Sequence, residues 1–183
     1  KDDGNSYVQL TFTPKLAAGT EPGFEVLFLV DCSGSMGGDS IEQARQTLQL
    51  CLRALTSRDT FDIAAFGSRH RFLWGSAQPF DAAAMQRADA FIRHMNADMG
   101  GTEIMTPLQE LLLRPADPER PRRIVLLTDG QVSNERAIID LCQANRDMGR
   151  VFSFGIGAGA SEYLVRGVAR ASGGLCEMVF PGE

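Results

Sequence analysis

Five oxygen-bearing side chains set the chemical question for this 183-residue chain. Asp31, Ser33 and Ser35 stand in the run Asp-Cys-Ser-Gly-Ser, Thr102 follows Gly100-Gly101, and Asp129 precedes Gly130. Together they offer two carboxylates and three hydroxyls, with no histidine or cysteine required. Such a set of hard donors suits Mg²⁺ or Mn²⁺, and less readily Ca²⁺, rather than zinc. Mg²⁺ asks for a near-octahedral shell at about 2.0–2.1 Å and gives up its waters reluctantly. Five such side chains do not close that shell without water or an outside oxygen, so the open position is a binding position. If one Asp acts through a water, the ion keeps much of its +2 charge. An Asp or Glu side chain of a partner protein is then the simplest oxygen to complete it.

Each signal alone is weak. Asp and Ser after a strand often cap the next helix, although Asp39 and Ser40 are better placed for that cap and leave Asp31, Ser33 and Ser35 free. Thr102 alone could be a turn residue, and Asp129-Gly130 alone is an ordinary turn dipeptide. Their weight depends on the elements that position them. Residues 24–30 (FEVLFLV), 61–66 (FDIAAF), 123–128 (RIVLLT) and 151–156 are apolar runs suited to strands buried on both faces. Shorter strands are expected over 7–13, 71–74 and 175–179. Helical periodicity begins after Ser40, with Ile41, Ala44, Leu48, Cys51, Leu52 and Leu55 on one face. Further helices are expected over 81–95 with Asp81 as N-cap, over 134–146 and over 161–171. One more should end at Leu113, capped by Thr106 with Pro107 first in the helix and Gln109 closing a capping box.

Strands alternating with amphipathic helices give an α/β fold: a doubly wound, mostly parallel sheet with helices on both faces, Rossmann-like in layout. Ligands of such sheets bind beyond the carboxyl ends of the strands, near the switch in strand order. Asp31 and Asp129 each directly follow a strand. The Thr102 loop lies between two helices, which must bring it to the same edge.

The pattern Asp-x-Ser-x-Ser, then Thr, then Asp-Gly, resembles the metal-ion-dependent adhesion site of von Willebrand factor A (VWA) domains, with all five positions matched. The resemblance runs from Phe24 to Val179 and includes the order of strands and helices. The stretches 100–104 (GGTEI), 151–161 (VFSFGIGAGAS) and 169–174 (ARASGG) are similar to the subfamily that joins this domain to an upstream VIT domain, as in inter-alpha-trypsin inhibitor heavy chains and their intracellular relatives. The resemblance implies a division into residues 1–23, an edge strand and linker ending a VIT domain, and 24–183, the VWA domain. It implies that Ser33, Ser35 and Thr102 ligate a metal through hydroxyls, with Asp31 and Asp129 acting directly or through water. It further implies adhesion or complex assembly with a protein ligand that presents an acidic side chain, and no catalysis.

Other classes are less well supported. The formal net charge is −5 and no basic stripe appears, which argues against nucleic-acid binding. Arg120, Arg122 and Arg123 read as a solvated loop. No apolar run reaches the ~18–20 residues that span a membrane. Cys32, Cys51, Cys142 and Cys176 make no CxxC pair and read as reduced thiols, which favours an intracellular compartment. Met95, Met99 and Met105 flank the Thr102 loop and read as core filling, as does Trp74, while His70 and His94 read as surface or packed side chains. The run from Gly155 to Ala160 fits a dinucleotide-binding GxGxxA motif, but too few βα units follow it, so its glycines read as a tight strand–helix turn. A haloacid dehalogenase-type phosphatase would carry a second Asp where Ser33 stands, and Ser cannot act as its general acid. A metal-assisted hydrolase and a scaffold with a purely structural metal remain as alternatives to the recognition module.

Overall fold

The computed structural model describes residues 22–180, so the strand expected over 7–13 lies outside the described residues. From the N-terminus come β1 (Glu25–Asp31), α1 (Asp39–Arg53), β2 (Thr60–Phe66), β3 (His70–Phe72) and β4 (Gln78–Pro79). Then follow α2 (Ala82–Arg93), α3 (Met105–Leu113), β5 (Arg122–Thr128), α4 (Glu135–Ala144), β6 (Arg150–Ile156), α5 (Glu162–Ser172) and β7 (Cys176–Val179). The sheet runs β3-β2-β1-β5-β6-β7, with β4 also on β2. Strands β2, β1, β5, β6 and β7 are parallel, while β3 and β4 run antiparallel to β2. The doubly wound, mostly parallel α/β architecture is therefore as the sequence pattern implies. Strand order reverses between β1 and β5, which places a switch point where Asp31 and Thr128 end adjacent strands.

Side-chain alternation along the buried strands builds two cores. Val26, Phe28 and Val30 face α1 and α2, meeting Ala44, Leu48, Leu52, Ala88 and Ile92. Leu27 and Leu29 face the other side, with Leu108, Leu112, Ile138, Cys142, Leu164 and Val168 from α3, α4 and α5. Each large apolar side chain so buried stabilises the fold by about 1.5–3 kcal/mol. Trp74 packs edge-on against Phe61, and Met95 is fully buried, both as core. Met99 and Met105 are partly buried against opposite cores. Among the described residues no helix is long and apolar enough to cross a membrane.

Helix ends follow the local chemistry with two departures. Asp81 caps α2 by accepting from the Ala84 N–H at 2.7 Å, and Ser161 caps α5 through the Leu164 N–H. For α1, Gly38 at φ 75° occupies the N-cap position instead of Asp39 or Ser40. The left-handed turn favours glycine there, and Asp39 adds a favourable charge within the first turn. For α3, Thr106 lies inside the helix and its N–H donates to Glu103 Oε1 at 3.2 Å. Glu103 thus takes the capping role expected of Thr106, and no Thr106–Gln109 capping box forms.

The reading of Arg122 as solvated is overturned. Its side chain is fully buried and pairs with Glu25 at 2.5 Å. The guanidinium also donates to the backbone oxygens of Leu111, Leu112, Arg114 and Pro115. It closes the C-terminal end of α3, where helix carbonyls lack intrahelical donors. Arg123 lies over the Phe24 ring, 3.3 Å from its centroid.

Asp62, 1% exposed in the middle of β2, accepts from the Ile63 and Trp74 N–H groups and faces Arg114 at 3.5 Å. Burial pushes its pKa above the ordinary carboxylate range, the hydrogen bonds and Arg114 opposing. A raised folded pKa contributes stability that is full below the unfolded pKa and is lost as pH rises through the folded value. Asp62→Asn should remove that dependence. In urea melts between pH 4 and 7, the stability difference between variant and wild type should drift in the variant's favour as pH rises. A difference constant across that range contradicts the assignment.

Candidate metal centre

Asp31 ends β1 fully buried. Its Oδ1 accepts from the Ser33 N–H at 2.9 Å and its Oδ2 from the Thr128 hydroxyl at 2.6 Å. A short 3-10 turn, Gly34–Met36, follows and brings the Ser33 and Ser35 hydroxyls within 3.1 Å of each other. The loop carrying Thr102 is tied to this turn by backbone bonds, Gly34 N–H to Gly100 O at 2.8 Å and Met99 N–H to Cys32 O at 3.0 Å. The turn after β2 braces the same loop. Ser68 donates its N–H to Met99 O, its hydroxyl accepts from the Gly101 N–H at 2.7 Å, and Glu103 N–H donates to Gly67 O. Thr102 itself is half-buried.

Asp129 follows β5 at 3% exposure. Its Oδ1 accepts from the Gln131 N–H at 3.2 Å, whereas its Oδ2 is buried and has no hydrogen-bond partner among the described residues. Thr128 links the two carboxylate loops, because its hydroxyl also accepts from the Gly130 N–H at 2.8 Å. Asp31 and Asp129 therefore do not sit on an exposed rim. Both are buried, and Asp31 is locked by two donors. Burial holds the Asp31 pKa above its usual value, hydrogen bonds from Ser33 and Thr128 oppose this, and the neighbouring Asp129 charge adds to it.

Two buried carboxylates, with the Asp129 charge raising the Asp31 pKa, one oxygen without a donor and two touching hydroxyls form a site short of positive charge. The donor chemistry is all oxygen. Among the described residues no group of three His, Cys, Asp or Glu side chains converges on one point, so an ion here would rely on hydroxyls. Cys32, between Asp31 and Ser33, is a free thiol pushed up to about 12 by burial and by the Asp31 charge. It is protonated at neutral pH and unsuited to act as a nucleophile. His70 pairs with Glu110 at 3.0 Å, and the His94 ring contacts Ala90 O at 2.7 Å. The Gly155–Ala160 glycines serve packing. A Cβ on Gly155 would lie 2.6 Å from Met178 Sδ, and Gly157, at φ 83°, approaches the Ser40 hydroxyl.

Two residues of this region have no role in the sequence reading. Thr128 is detectable as the one hydroxyl in an otherwise apolar strand end (VLLT). Ser68 leaves no signal, since only the fold brings it to Gly101.

A parallel sheet with a hydroxyl- and carboxylate-lined switch point defines a Rossmann-like α/β domain with an oxygen-rich site at its top. The family model for the von Willebrand factor type A domain matches residues 24–178, and the chain belongs to that family, whose domains are modules for protein interactions. It is 37% identical over 164 residues to human von Willebrand factor A domain-containing protein 5A, covering 85% of this chain and 21% of that protein. The chain spans about a fifth of the length of the curated relatives it matches. Among solved structures, a von Willebrand factor type A protein from Catenulispora acidiphila superposes with TM-score 0.74 at 20% identity, over 86% of this chain and 39% of that one. Proximal thread matrix protein 1 of the mussel byssus, solved with a zinc-occupied MIDAS motif, superposes with TM-score 0.67 at 16% identity, over 87% and 44%.

Proposed function

We propose that this domain recognises a partner protein through one divalent cation, Mg²⁺ or Mn²⁺ in preference to Ca²⁺. The hydroxyls of Ser33, Ser35 and Thr102 hold it together with Asp31 and Asp129, and an Asp or Glu side chain of the partner completes the shell. The observation that carries this reading is the Asp129 Oδ2, a buried carboxylate oxygen with no donor. A buried anionic oxygen is costly to leave unpaired, and a cation beside Asp31 and Asp129 offsets both charges. Bound there, the ion supplies a Lewis-acidic position for an anionic oxygen. Ser33 and Ser35 contribute neutral oxygens, so the protein adds no negative charge beyond the two aspartates and leaves a position in the shell for a partner carboxylate. The Thr102 loop is held toward the turn by Gly34, Met99 and Ser68 without needing the ion. The mussel protein's zinc-occupied motif supports a metal role for this region of the fold and not the choice of ion. We place the chain downstream of a VIT domain in its full-length protein, on the stretches 100–104, 151–161 and 169–174.

Titration calorimetry of Mg²⁺ and of Mn²⁺ into chelator-stripped wild type and into Ser33→Ala/Ser35→Ala tests the proposal. Saturable one-to-one binding in wild type, lost in the double variant, is the expected result. Absence of heat in wild type with either ion, or equal binding by the variant, would remove the metal site and with it the carboxylate-recognition mode.

A further inference from the structure

We infer that Thr128 is a positioning residue for this site, setting the geometry of both carboxylates through one hydroxyl without itself touching the ion. The inference rests on the metal-dependent reading above and names a determinant of its affinity.

The hydroxyl is fully buried and both its roles are assigned. It donates its proton to Asp31 Oδ2 at 2.6 Å and accepts the Gly130 N–H at 2.8 Å. Asp31 closes β1, and Gly130 fixes the backbone directly after Asp129, so a single side chain spans the strand switch point. With the Ser33 N–H on Oδ1, both Asp31 oxygens are held by protein donors. That fixes the plane of the carboxylate. On the other side, the Thr128–Gly130 bond shapes the turn from which Asp129 extends its partnerless oxygen. The sequence offers no alternative to this hydroxyl, since residues 124–127 (IVLL) are all apolar. Partners of this kind orient metal ligands, and their loss typically lowers metal affinity ~10–100-fold.

The test compares Thr128→Val, which keeps the branched shape without the hydroxyl, Thr128→Ala and the conservative Thr128→Ser. Each is titrated with Mg²⁺ after chelator treatment, at a temperature where circular dichroism shows it folded. Thr128→Val and Thr128→Ala should bind Mg²⁺ ~10–100-fold more weakly than wild type, and Thr128→Ser should restore affinity to within about threefold, since it keeps the hydroxyl donor. A purely structural role would lower the melting temperature in chelator without changing affinity in the folded state. Wild-type affinity in folded Thr128→Val or Thr128→Ala would overturn the inference, as would a Thr128→Ser variant as weak as Thr128→Val. If wild type itself binds neither Mg²⁺ nor Mn²⁺, the metal reading falls first, a result distinct from either of these.

Discussion

Replacing Arg122 with alanine should cost about 3–5 kcal/mol of folding stability, the range for breaking a buried ion pair by removing one partner. Three losses coincide. Glu25, only 13% exposed, keeps its charge without its partner. The carbonyls of Leu111, Leu112, Arg114 and Pro115 lose their shared donor. The aliphatic stem, which packs against Gly149, leaves a void between β5 and the start of β6. Arg122→Lys should fall between, because an ammonium can meet Glu25 but cannot fork to four backbone oxygens. The double variant Arg122→Met/Glu25→Gln should recover part of the loss by removing the orphaned charge. Urea unfolding in chelator reads all four proteins. A loss below about 1 kcal/mol in Arg122→Ala would place it with surface substitutions and contradict the closing role given to this side chain.

Arg122 also marks where reading the chain alone stops. It follows a proline-rich stretch and precedes an apolar strand, the context of a solvated loop. Glu25, its ion-pair partner, lies 97 residues away. Long-range polar closure leaves no periodicity, whereas burial does. The run FEVLFLV, the α1 face from Ile41 to Leu52 and the Asp81 cap are each legible, because they depend on spacing within one element. The Thr106 cap fails for a local reason: the helix starts before it, with Leu108 N–H already bonded to Ile104 O, and Glu103 accepts the Thr106 N–H. The convergence of Asp31, Ser33, Ser35 and the Asp129 loop is legible because the two carboxylates end adjacent strands of a sheet whose topology follows from its pattern. That Asp31 and Asp129 are buried, and locked to different degrees, is not. Burial at a strand's end depends on the Thr102 loop and the start of α5 folding over it, contacts made by Gly100 and by Ser161, whose N–H donates to Asp129 O.

The unequal locking of the two carboxylates separates what each substitution should do. Asp129→Ala removes a buried oxygen that has no donor and leaves only the Gln131 N–H unpaired. It also removes the negative charge that raises the Asp31 pKa. In chelator its stability should lie within about 1 kcal/mol of wild type, the net worth of one ordinary hydrogen bond. Asp31→Ala instead strands two buried donors, the Ser33 N–H and the Thr128 hydroxyl. It should cost about 1–3 kcal/mol for each donor left unsatisfied. Both variants should lose the response to metal. At Mg²⁺ a hundredfold above its Kd, wild type should gain about 2.7 kcal/mol by mass action, and neither variant should gain measurably. Paired thermal melts in chelator and in excess Mg²⁺ give all these differences. An Asp129→Ala protein that still melts higher in Mg²⁺ would mean that the ion does not depend on that carboxylate, and an Asp31→Ala protein as stable as wild type in chelator would mean that its two hydrogen bonds contribute nothing to the fold. With the expected result, the division is physical: Asp31 is part of the scaffold as well as of the site, while Asp129 is held in place for its ligand alone.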